Sequence, residues 1–204
     1  MNRFCIVVFL IACSIVTNSQ LSVELNAGSE RVSAQLKVFK YIDKRNRWSL
    51  YSSNGAVIKY GEWKPGFFSG NIFGYNFRSG IGLGSILIAG ENGLHLSAGL
   101  QYQKTIKSFY FYLLSTHELN KLAKQENYFI LVYKHKLSAR VKFVFHNENY
   151  ICFREWGYDE SLQRIKLGLE IRQTQVGFIS ETFQTGKSHQ TTMVNLGCYI
   201  KQSF

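Results

Sequence analysis

The sequence ends with TTMVNLGCYIKQSF, residues Thr191 to Phe204, and this stretch decides the fold. Successive side chains of an extended strand point to opposite faces. The first face then holds the apolar residues Val194, Leu196, Cys198 and Ile200, and the second holds Asn195, Tyr199 and Lys201. One face suits hydrocarbon and the other suits water. The stretch therefore predicts a strand between lipid and a polar interior.

The same alternation recurs along the rest of the sequence and is clearest in residues 94–103 and 165–172. Seventeen glycines, one proline and an aromatic content of 15% suit long strands joined by tight turns. The period-two segments predict an all-β fold with about twelve strands, with eight or ten as alternatives. The predicted strands are 20–27, 32–42, 47–58, 67–77, 81–89, 94–103, 108–116, 127–136, 139–147, 162–172, 175–184 and 191–204. A capping-box spacing between Ser115 and Glu118 also predicts a short helix over 118–125.

Average composition does not separate a soluble protein from a membrane barrel. The mean hydropathy of −0.10 is that of a soluble protein, but barrel strands alternate apolar and polar residues and reach the same average. After the first twenty residues, every apolar run is too short for a membrane-spanning helix. A transmembrane barrel is the prediction, and a soluble lipocalin-like barrel is the alternative.

The first residues predict export. Arg3 precedes an apolar run from Phe4 to Cys13, and polar residues follow at 17–20, which is typical of a secretory signal peptide over residues 1–19. The segment ending at Cys13 also fits a lipoprotein signal, which is the alternative. Residues 20–204 then form a single domain that retains two cysteines, and a disulfide between Cys152 and Cys198 is a further alternative.

The lengths of the predicted connections differ between the two ends of the barrel. The short ones are 43–46, 78–80, 104–107, 137–138 and 173–174, and the long ones are 59–66, 117–126, 148–161 and 185–190. Short periplasmic turns and long outer loops are typical of outer-membrane barrels. With an even number of strands, both ends of residues 20–204 are predicted to face the periplasm.

With this hairpin pattern, this loop asymmetry and a final Phe204, the sequence resembles the outer-membrane β-barrels of Gram-negative bacteria, in particular small barrels without a known activity. The resemblance implies location in the cell outer membrane and a monomer. It also implies recognition by the barrel assembly machinery and contact with outer-membrane lipid or lipopolysaccharide. The residues that match the assembly signal are Leu196, Cys198, Ile200 and Phe204.

The predicted lumen faces are mainly basic. Glu170 is the clearest acid among them, and the basic candidates are Lys37, Arg140, Lys142, Lys166, Arg172 and Lys201. These residues either fill a narrow lumen, as in a structural or surface protein, or line a small anion-preferring channel for acidic solutes. In fold and charge the sequence resembles twelve-stranded channels for acidic oligosaccharides.

A third hypothesis is enzymatic. His95 and Ser97 have the His-x-Ser spacing of lipid A 3-O-deacylases. This resemblance implies a lipid-A-modifying barrel enzyme. Ala98 stands where that family has Asn, and both residues fall on the polar face. The sequence therefore predicts no catalytic residues, no metal site and no cofactor. Nucleic-acid binding is disfavoured, because the basic residues are spread singly along the strands.

Overall fold

The computed structural model describes residues 20–62, 64–90, 93–119, 124–154, 157–186 and 191–204. They form one closed antiparallel β-barrel of twelve strands, in which each strand pairs with its neighbours in sequence. Among these residues, no helix has the length and apolar character that crossing a membrane requires. The predicted signal peptide, residues 1–19, lies outside the described residues.

The strands follow one another with short connections. In chain order they are β1 (Gln20–Gly28), β2 (Arg31–Tyr41), β3 (Trp48–Lys59), β4 (Gly66–Asn76), β5 (Ile81–Gly90), β6 (Gly93–Ile106), β7 (Phe109–Glu118), β8 (Lys124–Lys136), β9 (Val141–Arg154), β10 (Gly157–Ile171), β11 (Thr174–Thr185) and β12 (Thr191–Ser203). The predicted up-and-down barrel of about twelve strands is confirmed.

The last strand closes the barrel against the first. In this pairing Val23 lies opposite Gln202 and Ala27 lies opposite Cys198. Beyond the strand, the backbone N–H of Phe204 donates to the carbonyl of Leu21 at 2.9 Å. Because β1 and β12 pair with each other, the barrel has no free strand edge, as a sheet within a bilayer requires.

The outer face carries the apolar side chains. In β12, Leu196 is 58% exposed, whereas Asn195 and Tyr199 point inward and are buried. Around the end where the chain passes from β2 to β3, outward aromatic residues cluster: the Trp48 ring lies 4.6 Å from Tyr75 and 5.2 Å from Phe73. Such an apolar band with an aromatic girdle is the lipid-facing surface of a membrane barrel. The outer surface is that of a membrane-spanning barrel, as predicted.

The two ends of the barrel differ in a way that the sequence patterns did not predict. We name the end with connections 42–47, 77–80, 107–108, 137–140 and 172–173 the turn end, and the opposite end the loop end. The predicted long loop 148–161 is wrong, because β9 and β10 run through it and leave only residues 155–156 between them. β9 and β10 have 14 and 15 residues, whereas a strand needs only about 9–11 residues to cross a bilayer. The asymmetry therefore lies in strands that project beyond the bilayer as a hairpin.

The predicted helix over 118–125 is also wrong where it can be compared. Glu118 ends β7, and Lys124 and Gln125 open β8; residues 120–123 lie outside the described residues. The ladder continues through Thr116 opposite Glu126 and His117 opposite Gln125. Ladder hydrogen bonds satisfy the backbone of both strands here, and they override a local helix preference.

The two cysteines of the barrel do not pair. Cys152 is buried on the inner face and Cys198 is exposed on the outer face, and both are free thiols. A disulfide needs Cα atoms within about 7 Å and side chains that point toward each other. The barrel wall separates these two side chains, so the disulfide alternative is wrong.

Candidate functional site in the barrel lumen

The lumen is divided into two sectors. The charged sector lies on β1, β2, β9, β10 and β11, and consists of Glu24, Arg31, Lys37, Glu148, Arg164, Lys166 and Glu181. The apolar sector lies on β4, β5, β7 and β8, and consists of Ile72, Ile86, Ile88, Tyr110, Tyr112, Leu114, Tyr128 and Ile130. Both sets follow from strand alternation, which turns every second residue inward.

Glu24 joins three strands at the centre of the charged sector. Its carboxylate forms an ion pair with Lys166 of β10 and a second one with Lys37 of β2, at 3.4 Å. The side-chain amide of Asn26 donates to the same carboxylate at 3.2 Å. The Lys166 ammonium lies 5.4 Å from the centre of the Tyr199 ring, which contributes a cation–π contact. One carboxylate thus neutralises two inward lysines.

Arg164 is the second centre of this sector. Its guanidinium donates to Glu181 at 2.7 Å and to Glu148 at 3.1 Å. Glu181 also accepts from Arg31 of β2 at 3.0 Å and from the Asn195 amide at 2.9 Å. Each charge therefore has an opposite partner, which is the condition under which charges are stable away from water.

The six basic residues predicted for the lumen lie in four places. Lys37 and Lys166 belong to the charged sector and are 9% and 2% exposed. Lys142 lies near the turn end, where it and Lys134 form ion pairs with Glu170 at 2.8 and 2.6 Å. Lys201 is partly buried on the inner face of β12, whereas Arg140 and Arg172 are exposed in turns.

The sequence patterns missed most of the acidic side of the lumen. They singled out Glu170, but Glu24, Glu126, Glu148 and Glu181 also point inward and form ion pairs. Parity carried the signal: in Ser22-Val23-Glu24-Leu25-Asn26 the polar residues alternate with apolar ones. The predominantly basic lumen is therefore corrected to one in which acids and bases are nearly balanced.

Inward glycines make room for the larger side chains. A Cβ atom at Gly74 would lie 2.4 Å from the Gln101 amide, and one at Gly84 would lie 2.7 Å from Leu114. Gln101 in turn donates to Asn76 at 2.8 Å and accepts from the Tyr112 hydroxyl at 3.2 Å. The glycines of β4 and β5 thus allow Gln101 and Leu114 to reach across toward these strands.

His95 and Ser97 lie on the inner face of β6 but have separate partners. The Ser97 hydroxyl donates to Glu126 at 2.7 Å, and a ring nitrogen of His95 lies 3.1 Å from Glu118. A serine nucleophile needs a base that receives its proton. Glu126 is already paired with Lys124 at 3.0 Å and accepts from Tyr150 at 2.9 Å, so these contacts describe a packed polar cluster.

Within the part of the chain that the structure describes, one group of possible metal ligands occurs, at the loop end. The Cys152 thiol and the carboxylates of Asp159 and Glu160 have ligand atoms within 4.8 Å of one another. Both carboxylates have protein partners, since Asp159 pairs with Arg154 at 3.2 Å and Glu160 accepts from Tyr150 at 3.3 Å. These contacts account for the arrangement without an ion.

The burial of the charged sector says how the lumen is packed. Glu24 and Glu181 are each 1% exposed, although they lie on the inner wall of a twelve-stranded barrel. A side chain that lined an open water path would be reached by a water-sized probe along that path. The near absence of exposure means that neighbouring side chains cover these groups.

Comparisons with known proteins agree with this architecture. No protein-family model and no curated protein matches the sequence. Among solved structures, the chain is similar to KdgM porin in complex with disordered oligogalacturonate, with a TM-score of 0.57, 10% identity, and coverage of 91% of this chain and 99% of that one. It is also similar to NanC porin, with a TM-score of 0.55, 11% identity, and coverage of 91% and 98%. An outer-membrane channel from Pseudomonas putida F1 gives a TM-score of 0.51, 9% identity, and coverage of 91% and 94%. The chain thus has the fold of small outer-membrane porins.

Proposed function

We propose that this protein is a structural or surface barrel of the outer membrane whose lumen is closed by its own side chains. The observation that carries the proposal is the burial of the ion pairs among Glu24, Lys166, Arg164 and Glu181. Ions cross a barrel through a continuous water path. Paired charges that fill the cross-section remove that path on one side, and the apolar sector offers ions no favourable path on the other.

Planar-bilayer recording tests the closed lumen. Purified, refolded protein should add no discrete conductance steps above the background of a detergent blank. Its folded state is checked in the same sample by the shift of the unheated band on a denaturing gel. Regular steps from folded protein would contradict a closed lumen.

A small anion-preferring channel is the second candidate. The observation that favours it is the fold shared with porins, together with the basic residues at the turn end. A channel lined by one sign of charge concentrates the opposite ion. In a potassium chloride gradient this candidate predicts conductance steps with an anion-selective reversal potential, and silence in the recording removes it.

We further propose that the barrel has no catalytic activity. The separate partners of His95 and Ser97 support this, because the Ser97 hydroxyl donates to Glu126, whereas the His95 ring pairs with Glu118. If Ser97 were a nucleophile, Ser97→Ala would change the lipid A mass spectrum of the host cell. We expect the same spectrum with the wild type, with Ser97→Ala and without the protein.

The proposed partners are those of a monomeric outer-membrane barrel: membrane lipid or lipopolysaccharide at the rim, and the assembly machinery during insertion. The outward apolar face of β12 and the backbone contact of Phe204 with β1 support a role for the last strand in assembly. Removal of Phe204 should lower the amount of folded barrel in outer-membrane fractions. An unchanged amount would exclude Phe204 from the signal.

A further inference from the structure

The turn end contains a cavity whose lining residues belong to neither the charged sector nor the apolar sector of the lumen. It has a volume of about 500 Å³ and is lined by Arg45, Arg47, Asn76, Phe77, Arg78 and Gln103, among others. These residues come from the β2–β3 turn, the β4–β5 turn and the ends of β4 and β6. The cavity is large enough for a small anionic group and its immediate substituents.

The three arginines have no acidic partner. Among the described residues, none of Arg45, Arg47 and Arg78 forms an ion pair, and the cavity wall contains no carboxylate. The nearby acid of the same turn, Asp43, is held by the backbone. It accepts hydrogen bonds from the N–H groups of Arg47 and Trp48 at 2.7 Å each. Three guanidinium groups are therefore left to bind a ligand.

Backbone hydrogen bonds fix the turns that carry these arginines. The N–H of Asn76 donates to the carbonyl of Arg47 at 2.8 Å, which ties the start of β3 to the end of β4. The N–H of Gly80 donates to Phe77 at 3.0 Å, and the N–H of Gln103 donates to Gly80 at 2.9 Å. Gly80 has a φ of 90°, which favours glycine at this turn. The cavity is thus built on paired strand ends.

The positive charge of the whole turn end adds to that of the three arginines in the cavity wall. Its five connections contain one acid, Asp43, and seven basic residues: Lys44, Arg45, Arg47, Arg78, Lys107, Arg140 and Arg172. The six connections of the loop end contain four acids and three basic residues. A surface with one sign of charge attracts the opposite ion over roughly a Debye length, about 8 Å at physiological salt.

We propose that this cavity, the arginine cavity, binds the phosphate or carboxylate group of an anionic ligand at the turn end of the barrel. Guanidinium groups donate paired hydrogen bonds that match the oxygens of these anions. The Gln103 amide lies in the same wall and provides a further donor. The proposal is independent of the closed lumen, because the cavity lies at the mouth of the barrel, in the turns and strand ends of the turn end.

Two variants that remove the same amount of positive charge distinguish a specific binding site from a general electrostatic attraction. The site variant combines Arg45→Gln, Arg47→Gln and Arg78→Gln. The control variant combines Lys104→Gln, Lys107→Gln and Lys136→Gln, which are exposed residues of the same end that do not line the cavity. Arg78→Gln alone is added as a milder variant in case the triple change impairs folding. Each sample is checked for the heat-dependent gel shift of a folded barrel.

Two probes distinguish the source of the anion. Inorganic pyrophosphate is titrated into the full-length barrel in neutral detergent and followed by calorimetry, which reports a soluble ligand. Native mass spectrometry of barrels from nanodiscs of phosphatidylglycerol and phosphatidylethanolamine reports a retained lipid headgroup. We expect the site variant to bind at least one probe about tenfold more weakly than wild type, and Arg78→Gln about threefold more weakly.

The pattern across probes then decides the proposal. Loss of pyrophosphate binding in the site variant, with the control variant unchanged, identifies a soluble anion. Loss of retained phosphatidylglycerol with the same variant pattern identifies a lipid. Binding of neither probe by the wild type, or equal losses in the site and control variants, would overturn the arginine cavity as a binding site.

Discussion

Glu24 is the residue on which the charged sector depends most, because its carboxylate forms ion pairs with both Lys37 and Lys166. Glu24→Gln keeps the shape of the side chain but leaves two ammonium groups without their carboxylate. Removing one partner of a buried pair typically costs about 3–5 kcal/mol. The free energy of unfolding, measured by urea titration of the barrel in lipid vesicles, should fall by about that amount.

Glu30→Gln is the matched control for this change. Glu30 follows the same strand, but its side chain is exposed and has no ion pair among the described residues. Exposed substitutions of this kind usually change stability by less than about 0.5 kcal/mol. Equal losses in the two variants would mean that the ion pairs of Glu24 contribute nothing specific.

Asp43 provides a pH-dependent contact in the β2–β3 turn. Slight desolvation would raise the pKa of this carboxyl, but the backbone N–H groups of Trp48, Arg47 and Arg45 outweigh it and lower the pKa below its ordinary value. A group whose folded pKa is depressed stabilises the fold above its unfolded pKa, and that stabilisation disappears as the pH falls through the folded pKa.

The titration of Asp43 can be followed directly. Carboxyl-carbon NMR of the folded barrel in micelles should give a midpoint below the ordinary value of about 3.9. In Asp43→Ala, the amide protons of Arg47 and Trp48 should exchange faster at neutral pH, because their acceptor is gone. A midpoint at or above the ordinary value would contradict this role of the turn.

At the scale of the strand, β12 should tolerate a charge according to its depth in the bilayer. Cys198 faces outward, lies opposite Ala27 and Phe178, and has apolar neighbours on either side at Leu196 and Ile200. Lysine on the lipid face costs about 2–4 kcal/mol at the midplane of the bilayer and about 0–1 near its edges.

Cys198→Lys should therefore lower the free energy of unfolding in vesicles far more than Thr192→Lys. Thr192 is exposed on the same face of the same strand, near the loop end. Refolding yield and urea midpoints of the two variants measure the difference. Similar losses at both positions would place Cys198 away from the centre of the lipid.

The strands could be predicted where their outer residues are apolar, and the strand ends were missed where they are not. Alternation in β6, β10 and β12 is regular and gave the strand and its faces together. Beyond Phe145, β9 carries Asn147 and Asn149 on its outer face, so the apolar signal ends while the ladder continues. Inter-strand hydrogen bonds need no apolar side chains, and local patterning therefore underestimates hairpins that project from the membrane.

At the scale of the whole molecule, closure of the barrel determines what the sequence could not reveal. Parity can assign Glu24 and Lys166 to the inner face, but the two residues are 142 positions apart. They meet because β1 pairs with β12, which brings β10 within reach of β1 across the lumen. Inward orientation was predictable for several residues, whereas the pairing of acids with bases depends on curvature and strand order.

The two sectors of the lumen should respond differently when side chains are removed. Arg164→Ala with Glu181→Ala deletes one positive and one negative charge from the charged sector and leaves polar groups around the space. Ile86→Ala with Leu114→Ala deletes a similar volume from the apolar sector, where both residues are at most 2% exposed. Polar cavities hold water, whereas apolar cavities of about 150 Å³ stay dry.

Ions need continuous water, so only the charged-sector variant should conduct. In planar bilayers it should give discrete conductance steps, while the wild type and the apolar-sector variant stay silent. The apolar-sector variant should still lose stability, by about 2–5 kcal/mol for each truncated side chain, which confirms that its cavity exists. Conductance in the apolar-sector variant, or in neither variant although both fold, would show that the buried ion pairs are not what closes the lumen.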